Sequence, residues 1–85
     1  MEINIGNIVI SSAGHDSGRL MVVVGAEGGF LFVADGKERK LGSPKKKNIK
    51  HVRKTLGRIE LEGLTDKKLR QTLKTFANNT LQESE

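Results

Sequence analysis

Cysteine, tryptophan and tyrosine are absent from this chain, proline occurs once and phenylalanine three times. Without cysteine there is no disulfide staple, no thiolate nucleophile and no thiolate zinc site. Two histidines, His15 and His51, give poor support to a protein-only metal centre, so neither metal nor cofactor is expected. No run of 18 apolar residues occurs, and Met1 to Ile5 shows neither a basic nor an apolar leader pattern, so the chain is expected to be soluble and cytoplasmic. Its 85 residues make one small domain with little room for an enclosed active site, and no enzymatic activity is expected.

What the chain does have is positive charge in one place. Lys37 to Lys54 carries nine Lys/Arg residues against one acid, Glu38, whereas the rest of the chain holds six basic and nine acidic residues. Charge gathered in this way raises the potential over one face and attracts polyanions, while the same charge spread evenly would mainly aid solubility. Nucleic acid is therefore the first partner class to weigh. A flexible strand edge guarded by lysines is the plainer alternative.

Three β-type runs open the chain: Asn7 to Ser12, Arg19 to Gly25 and Gly29 to Ala34. Gly28-Gly29 and Asp35-Gly36 suit tight turns that need positive φ. Val22 to Val24 and Phe30 to Val33 are consecutive apolar residues, which suits a curled sheet or small barrel with one flank covered. Arg39 to Leu41 and Asn48 to Val52 read as two further short strands, separated by Gly42-Ser43-Pro44 and the lysine triplet. Arg58 to Glu62 alternates as a last strand or an extended connector. Thr65 is placed as an N-cap, with Asp66 in the first turn and Leu64 stapled against Leu69. The stripe Leu69, Leu73, Phe76 predicts a helix over 65–79 lying on the barrel, with Lys67, Lys68, Arg70 and Lys74 outside it. The expected organisation is a β unit over 1–56, a connector over 57–64, the helix, and a frayed tail over 80–85.

The loop Ala13-Gly14-His15-Asp16-Ser17-Gly18-Arg19 joins the first two strands, and its two glycines let the backbone turn sharply and a partner approach closely. This loop, Val33-Ala34-Asp35-Gly36 and the basic block ending in Asn48-Ile49-Lys50-His51 together resemble the KOW family of RNA-binding modules. The resemblance covers about Ile5 to Val52 and is nearest to large-subunit ribosomal proteins of archaea and eukaryotes and to small bacterial KOW-domain proteins. It implies a Src-homology-3-like β-barrel with the loop and the basic strands placed against RNA. The Lys45-Lys46-Lys47 triplet and the short acidic-ended tail depart from the long basic extensions of many ribosomal members.

Chemistry points the same way. Lys45, Lys46, Lys47, Lys50, Arg53 and Lys54 can sit on phosphates and release counterions. Arg19 and Arg39 are the candidates for specific contact, because a planar guanidinium bridges phosphate oxygens or stacks on a base. Gly14, His15, Gly18, Lys37, Lys40 and His51 complete the expected interface. Phe30, Phe32 and Phe76 are expected to be buried, which would leave backbone shape as the feature read. His15, Asp16 and Ser17 contain the residue types of a hydrolase triad, but three successive loop residues do not readily converge on one atom. The expected function is binding of ribosomal or other structured RNA by a monomer, with a role in translation. The alternative is a protein-interaction adaptor of the translation or transcription machinery. Anionic membrane is not an expected partner, since no apolar anchor is evident beside Lys45 to Lys54.

Overall fold

A computed structural model of the chain describes residues 2–83. Five strands are followed by one helix: β1 (Asn7–Ser11), β2 (Leu20–Glu27), β3 (Phe30–Ala34), β4 (Lys45–Asn48), a 3-10 turn at Ile49–His51, β5 (Val52–Arg58) and α1 (Asp66–Glu83). The fold is mainly β, one antiparallel sheet in the order β4-β3-β2-β1-β5. The first three strands and the helix start lie where the apolar runs and the N-cap signal place them. Gly28 and Gly29 both have positive φ, +52° and +87°, as a tight two-residue hairpin turn between β2 and β3 requires.

The first departure from the sequence reading comes after β3. Arg39 to Leu41 forms no strand. Asp35 Oδ1 instead accepts the backbone N–H groups of Lys37 and Arg39 at 2.9 Å, and the carbonyl of Arg39 accepts those of Asp35 and Gly36. A carboxylate able to bind two backbone donors offers this segment an alternative to a ladder. The lysine triplet, expected to separate strands, is itself β4, and Asn48 to Val52 is the end of β4, the 3-10 turn and the start of β5. β5 stops at Arg58, so Arg58 to Glu62 is not a strand of its own. α1 continues to Glu83, and the frayed segment expected from Thr80 is helical that far; residues 84–85 lie outside the described residues.

The sheet is rolled. β4 and β5 stand at opposite ends of the strand order, so in a flat five-stranded sheet they would be about 19 Å apart, four spacings of nearly 5 Å. Three residues in a 3-10 turn, rising about 2 Å each, join them. Only a sheet curled on itself brings its edges that close. Burial agrees: Val9, Met21, Val23, Leu31, Val33 and Val52 form one core on the inner face. Ile8, Val22 and Ala34 form a second on the other face with Ile59, Leu69 and Leu73. The consecutive valines of β2 therefore supply two cores in alternation, Val22 to one and Val23 to the other.

The helix covers the outer core. Thr65 Oγ1 accepts the N–H of Lys68 at 3.2 Å, three residues on, as an N-cap does. Leu64 packs in the same cluster as Leu69, Leu73 and Phe76, so the stripe docks on the chain's own sheet. Lys67, Lys68, Arg70 and Lys74 are exposed. Asp66 Oδ1 accepts the N–H of Leu41 at 2.8 Å, and Arg70 Nη1 donates to the carbonyl of Gly36 at 2.6 Å. The helix thereby also fixes the two ends of the basic loop after β3.

Gly57 sets how closely helix and sheet approach. A Cβ there would lie 2.6 Å from Phe76 Cε1 and 2.8 Å from Ile8 Cδ1. Overpacking of this kind costs about 1–3 kcal/mol. Gly57→Ala is expected to lower the denaturant midpoint by an amount in that range, whereas Gly42→Ala, which meets nothing within 4 Å, leaves it within about 0.5 kcal/mol.

Candidate nucleic-acid interface

The contiguous basic stretch divides in three dimensions because β4 is a strand. Register pairs Val33 with Lys45, Phe32 with Lys46 and Leu31 with Lys47. Lys45 and Lys47 therefore share the inward face with buried Leu31 and Val33, and Lys46 points outward.

Lys47 is 6% exposed and its Nζ donates to Asp16 Oδ1 and to the carbonyl of Ala13, each at 2.9 Å. Lys45 Nζ reaches the other oxygen, Asp16 Oδ2, at 3.1 Å, and Ser11 Oγ donates to Asp16 Oδ1 at 2.8 Å. Burial disfavours the Asp16 carboxylate, but the bonds from Lys47, Ser11 and Lys45 outweigh it and hold the group far below the usual carboxylate range. Lys47 is thus a structural lysine that ties the β1–β2 loop to β4. The expectation that it rests on phosphate needs correction, and Lys45 is partly committed in the same way. Asp16 is held by lysines and by Ser11, while Ser17 makes no side-chain bond to it.

Arg19 is likewise committed. Its Nη1 lies 3.2 Å from Asp35 Oδ2 and 3.0 Å from Glu38 Oε2, and these two carboxylates raise its pKa further. Burial opposes ionisation of Asp35, yet backbone donors from Arg39 and Lys37, together with Arg19, lower its pKa. Arg39 differs: its backbone is fastened to the Asp35 turn at both N–H and C=O, and its side chain is exposed and forms no ion pair among the described residues. Of the two arginines, Arg39 is the one free to receive a ligand.

The β1–β2 loop is closed by Gly18 N–H to Ser11 O at 2.7 Å and Arg19 N–H to Asp16 O at 2.9 Å. Gly14 and Gly18 have φ of +86° and +87°, which a β-branched residue resists. A Cβ at Gly18 would meet nothing within 4 Å, so the reason for glycine there is conformational; it leaves a side chain no steric obstacle. Gly18→Val is expected to cost about 1–2 kcal/mol by thermal or chemical denaturation. His15 is exposed at the loop tip, and with Arg19, Arg39 and Lys45 it surrounds a small pit of about 90 Å³ that Asp16 and Glu38 also line. Lys37 and Lys40 are exposed on the adjoining turn.

A second basic group lies along the 3-10 turn and β5. Lys50, Arg53 and Lys54 are exposed and share an open groove of about 520 Å³ with Ile3, Ile49 and Val52. His51 is exposed, and its carbonyl accepts the N–H of Ser12 at 2.8 Å, which brings the turn beside the β1–β2 loop. The seven residues Lys37, Arg39, Lys40, Lys46, Lys50, Arg53 and Lys54 are all exposed and unpaired with any acid among the described residues.

Two expectations about apolar residues fail here. Phe30 is 37% exposed, with Lys46 Nζ 4.6 Å from its ring centroid, so the aromatic residues are not all buried. Phe32 and Phe76 are half-buried. Exposed apolar residues do flank the basic run: Ile49 at 37%, and Leu56 fully exposed on edge strand β5. Phe30 opens β3 beside an edge strand, Ile49 opens the 3-10 turn and Leu56 lies on β5 at the end of the sheet, placements that local sequence does not state. Among the described residues no group of acidic, histidine or cysteine side chains is arranged to hold a metal, and no helix is long and apolar enough to cross a membrane. No known family model matches this chain, and no curated protein matches it closely enough to count as a relative.

Proposed function

We propose that this protein is a KOW-type RNA-binding module, a Src-homology-3-like barrel that binds ribosomal or other structured RNA mainly through phosphate contacts and acts in translation. The observation that carries this reading is the set of seven exposed cations without acidic partners, gathered on the turn after β3, on β4 and from Lys50 to Lys54. Cations bound to carboxylates would have to give up those partners before meeting a phosphate; these do not. Lys45 to Asp16, Lys47 to Asp16 and Arg19 to Asp35 and Glu38 form the frame that holds the binding residues in place. Resemblance of the Ala13 to Arg19 loop, Val33 to Gly36 and Asn48 to His51 to KOW modules supports RNA as the polyanion.

Five phosphate contacts to single-stranded RNA give a slope of log K against log salt near about −3.5, from roughly 0.7 per contact. The test is a binding titration with ribosomal RNA across a salt series. A slope of that size supports the proposal. A weak slope, with equal binding to an acidic polypeptide, would favour the protein-adaptor reading.

A further inference from the structure

Phe30 is an unusual place for an exposed ring. It opens β3 directly after the Gly28-Gly29 turn, and its cross-strand neighbours are Glu27 on β2 and Asn48 on β4. The ring is held by the outward-facing Lys46, whose ammonium lies 4.6 Å from its centroid. On the β4 side the surface carries no acid among the register partners. Asn48 Oδ1 is used as an acceptor for the N–H of Lys50, at 2.9 Å, which leaves its amide N–H groups as donors next to the ring. Ile49 follows, exposed, with its N–H bonded to Gly29 O at 3.0 Å, so the turn lies against the start of β3. Beyond it runs the groove with Lys50, Arg53 and Lys54.

An aromatic face, an amide donor beside it and a row of cations leading away are the parts needed to hold an unpaired nucleotide. Base–aromatic stacking tolerates any base, and the phosphates on either side need positive charge at short range. We infer that Phe30 is a stacking platform for one unpaired base of a single-stranded segment, with Lys46, whose ammonium covers the ring face in the unbound protein, moving onto the phosphate next to that base and Lys50, Arg53 and Lys54 on the strand that continues along the groove. This rests on the RNA-binding reading above and narrows it to RNA that offers single-stranded nucleotides, such as a loop or bulge. Bases in a duplex are already stacked on one another and cannot use the platform. Anionic membrane is less well matched, because Phe30 and Ile49 are each only 37% exposed and fully exposed Leu56 stands apart from them on β5, so the basic run has no continuous apolar patch to insert.

The chain has no tryptophan or tyrosine, so Phe30→Trp introduces a single fluorescent reporter at the platform. The variant would be titrated with a single-stranded oligouridine, with a duplex RNA of equal length and with vesicles containing anionic phospholipid. Binding of labelled RNA to wild type and Phe30→Ala would be followed by anisotropy. The inference expects quenching by the single strand but not by the duplex, and a loss of about tenfold in single-strand affinity for Phe30→Ala, with duplex affinity unchanged. RNA binding without quenching, and with equal affinity for Phe30→Ala, would overturn the platform and leave the RNA-binding reading standing. Failure of both RNAs to bind would overturn the platform and the RNA-binding reading together. A fluorescence response to vesicles alone would overturn the platform and assign Phe30 to a lipid surface.

Discussion

Asp16→Ala is expected to lower the stability of the domain by about 3–5 kcal/mol, the usual cost of leaving one member of a buried ion pair behind. Lys47 is 6% exposed, and without Asp16 its ammonium keeps only the carbonyl of Ala13. For a domain of this size that loss corresponds to a melting temperature lower by about 12 °C or more. Two comparisons test whether the loss comes from the stranded ammonium. Lys45→Ala, at the 30% exposed member of the cluster, should cost no more than about 1 kcal/mol. Asp16→Ala combined with Lys47→Met should recover most of the loss, since an apolar side chain can replace a buried pair with little penalty. Recovery in the double variant is the diagnostic result; a loss as large as in Asp16→Ala alone would mean that the loop, not the pair, is what Asp16 supports. The same site sets an acid limit. Asp16 and Asp35 both have pKa values lowered in the folded protein, so their contribution is complete above the unfolded carboxylate value. It is lost progressively as pH falls below about 4 toward the folded values. Asp16→Asn should flatten this acid dependence in denaturation curves recorded across that range.

Neutralising Lys46, Lys50, Arg53 and Lys54 together to Gln should change RNA binding rather than folding. All four are exposed and none makes an ion pair among the described residues, so little stability depends on them. Removing four of five phosphate contacts should flatten the salt slope from about −3.5 to about −0.7. It should also weaken binding near physiological salt on the order of 100-fold, because each lost contact carries roughly 0.7 of a decade per decade of salt. Substituting the lysine triplet as a block would be the wrong test. It includes Lys47, and the resulting loss of fold would be mistaken for a loss of contact. Arg19→Gln carries the same ambiguity through Asp35 and Glu38, whereas Arg39→Gln does not.

The parts of this structure that the sequence makes legible are those governed by neighbours in the chain. Gly28-Gly29 marks the hairpin, Thr65 caps the helix, and Leu69, Leu73 and Phe76 recur at helical spacing. The unbroken valines of β2 signal that both faces are covered, which the two core clusters bear out. What is not legible depends on residues far apart. Asp16 and Lys47 are 31 positions apart, and nothing local separates Lys47 from Lys45 and Lys46. Only the pairing of β4 with β3 sends alternate lysines inward and outward, and with it the fate of the basic run is decided. Asp35 was visible as a turn residue, but its hold on Arg19, 16 positions away, was not. Phe30 stands in an apolar run and reads as buried; its place beside an edge strand and a tight turn leaves it out. Gly57 carries no local signal at all, since its role is the approach of Phe76 from the helix.

The central claim is that the exposed cations meet RNA phosphates, and the most direct measurement is the salt dependence of binding for the intact wild-type chain. Ribosomal RNA and a length-matched acidic polypeptide would be titrated in parallel at several salt concentrations. The account predicts tighter binding of RNA, with a slope near about −3.5 that the quadruple Gln variant largely abolishes. Equal affinity for the polypeptide, or an RNA slope unaltered in that variant, would contradict it.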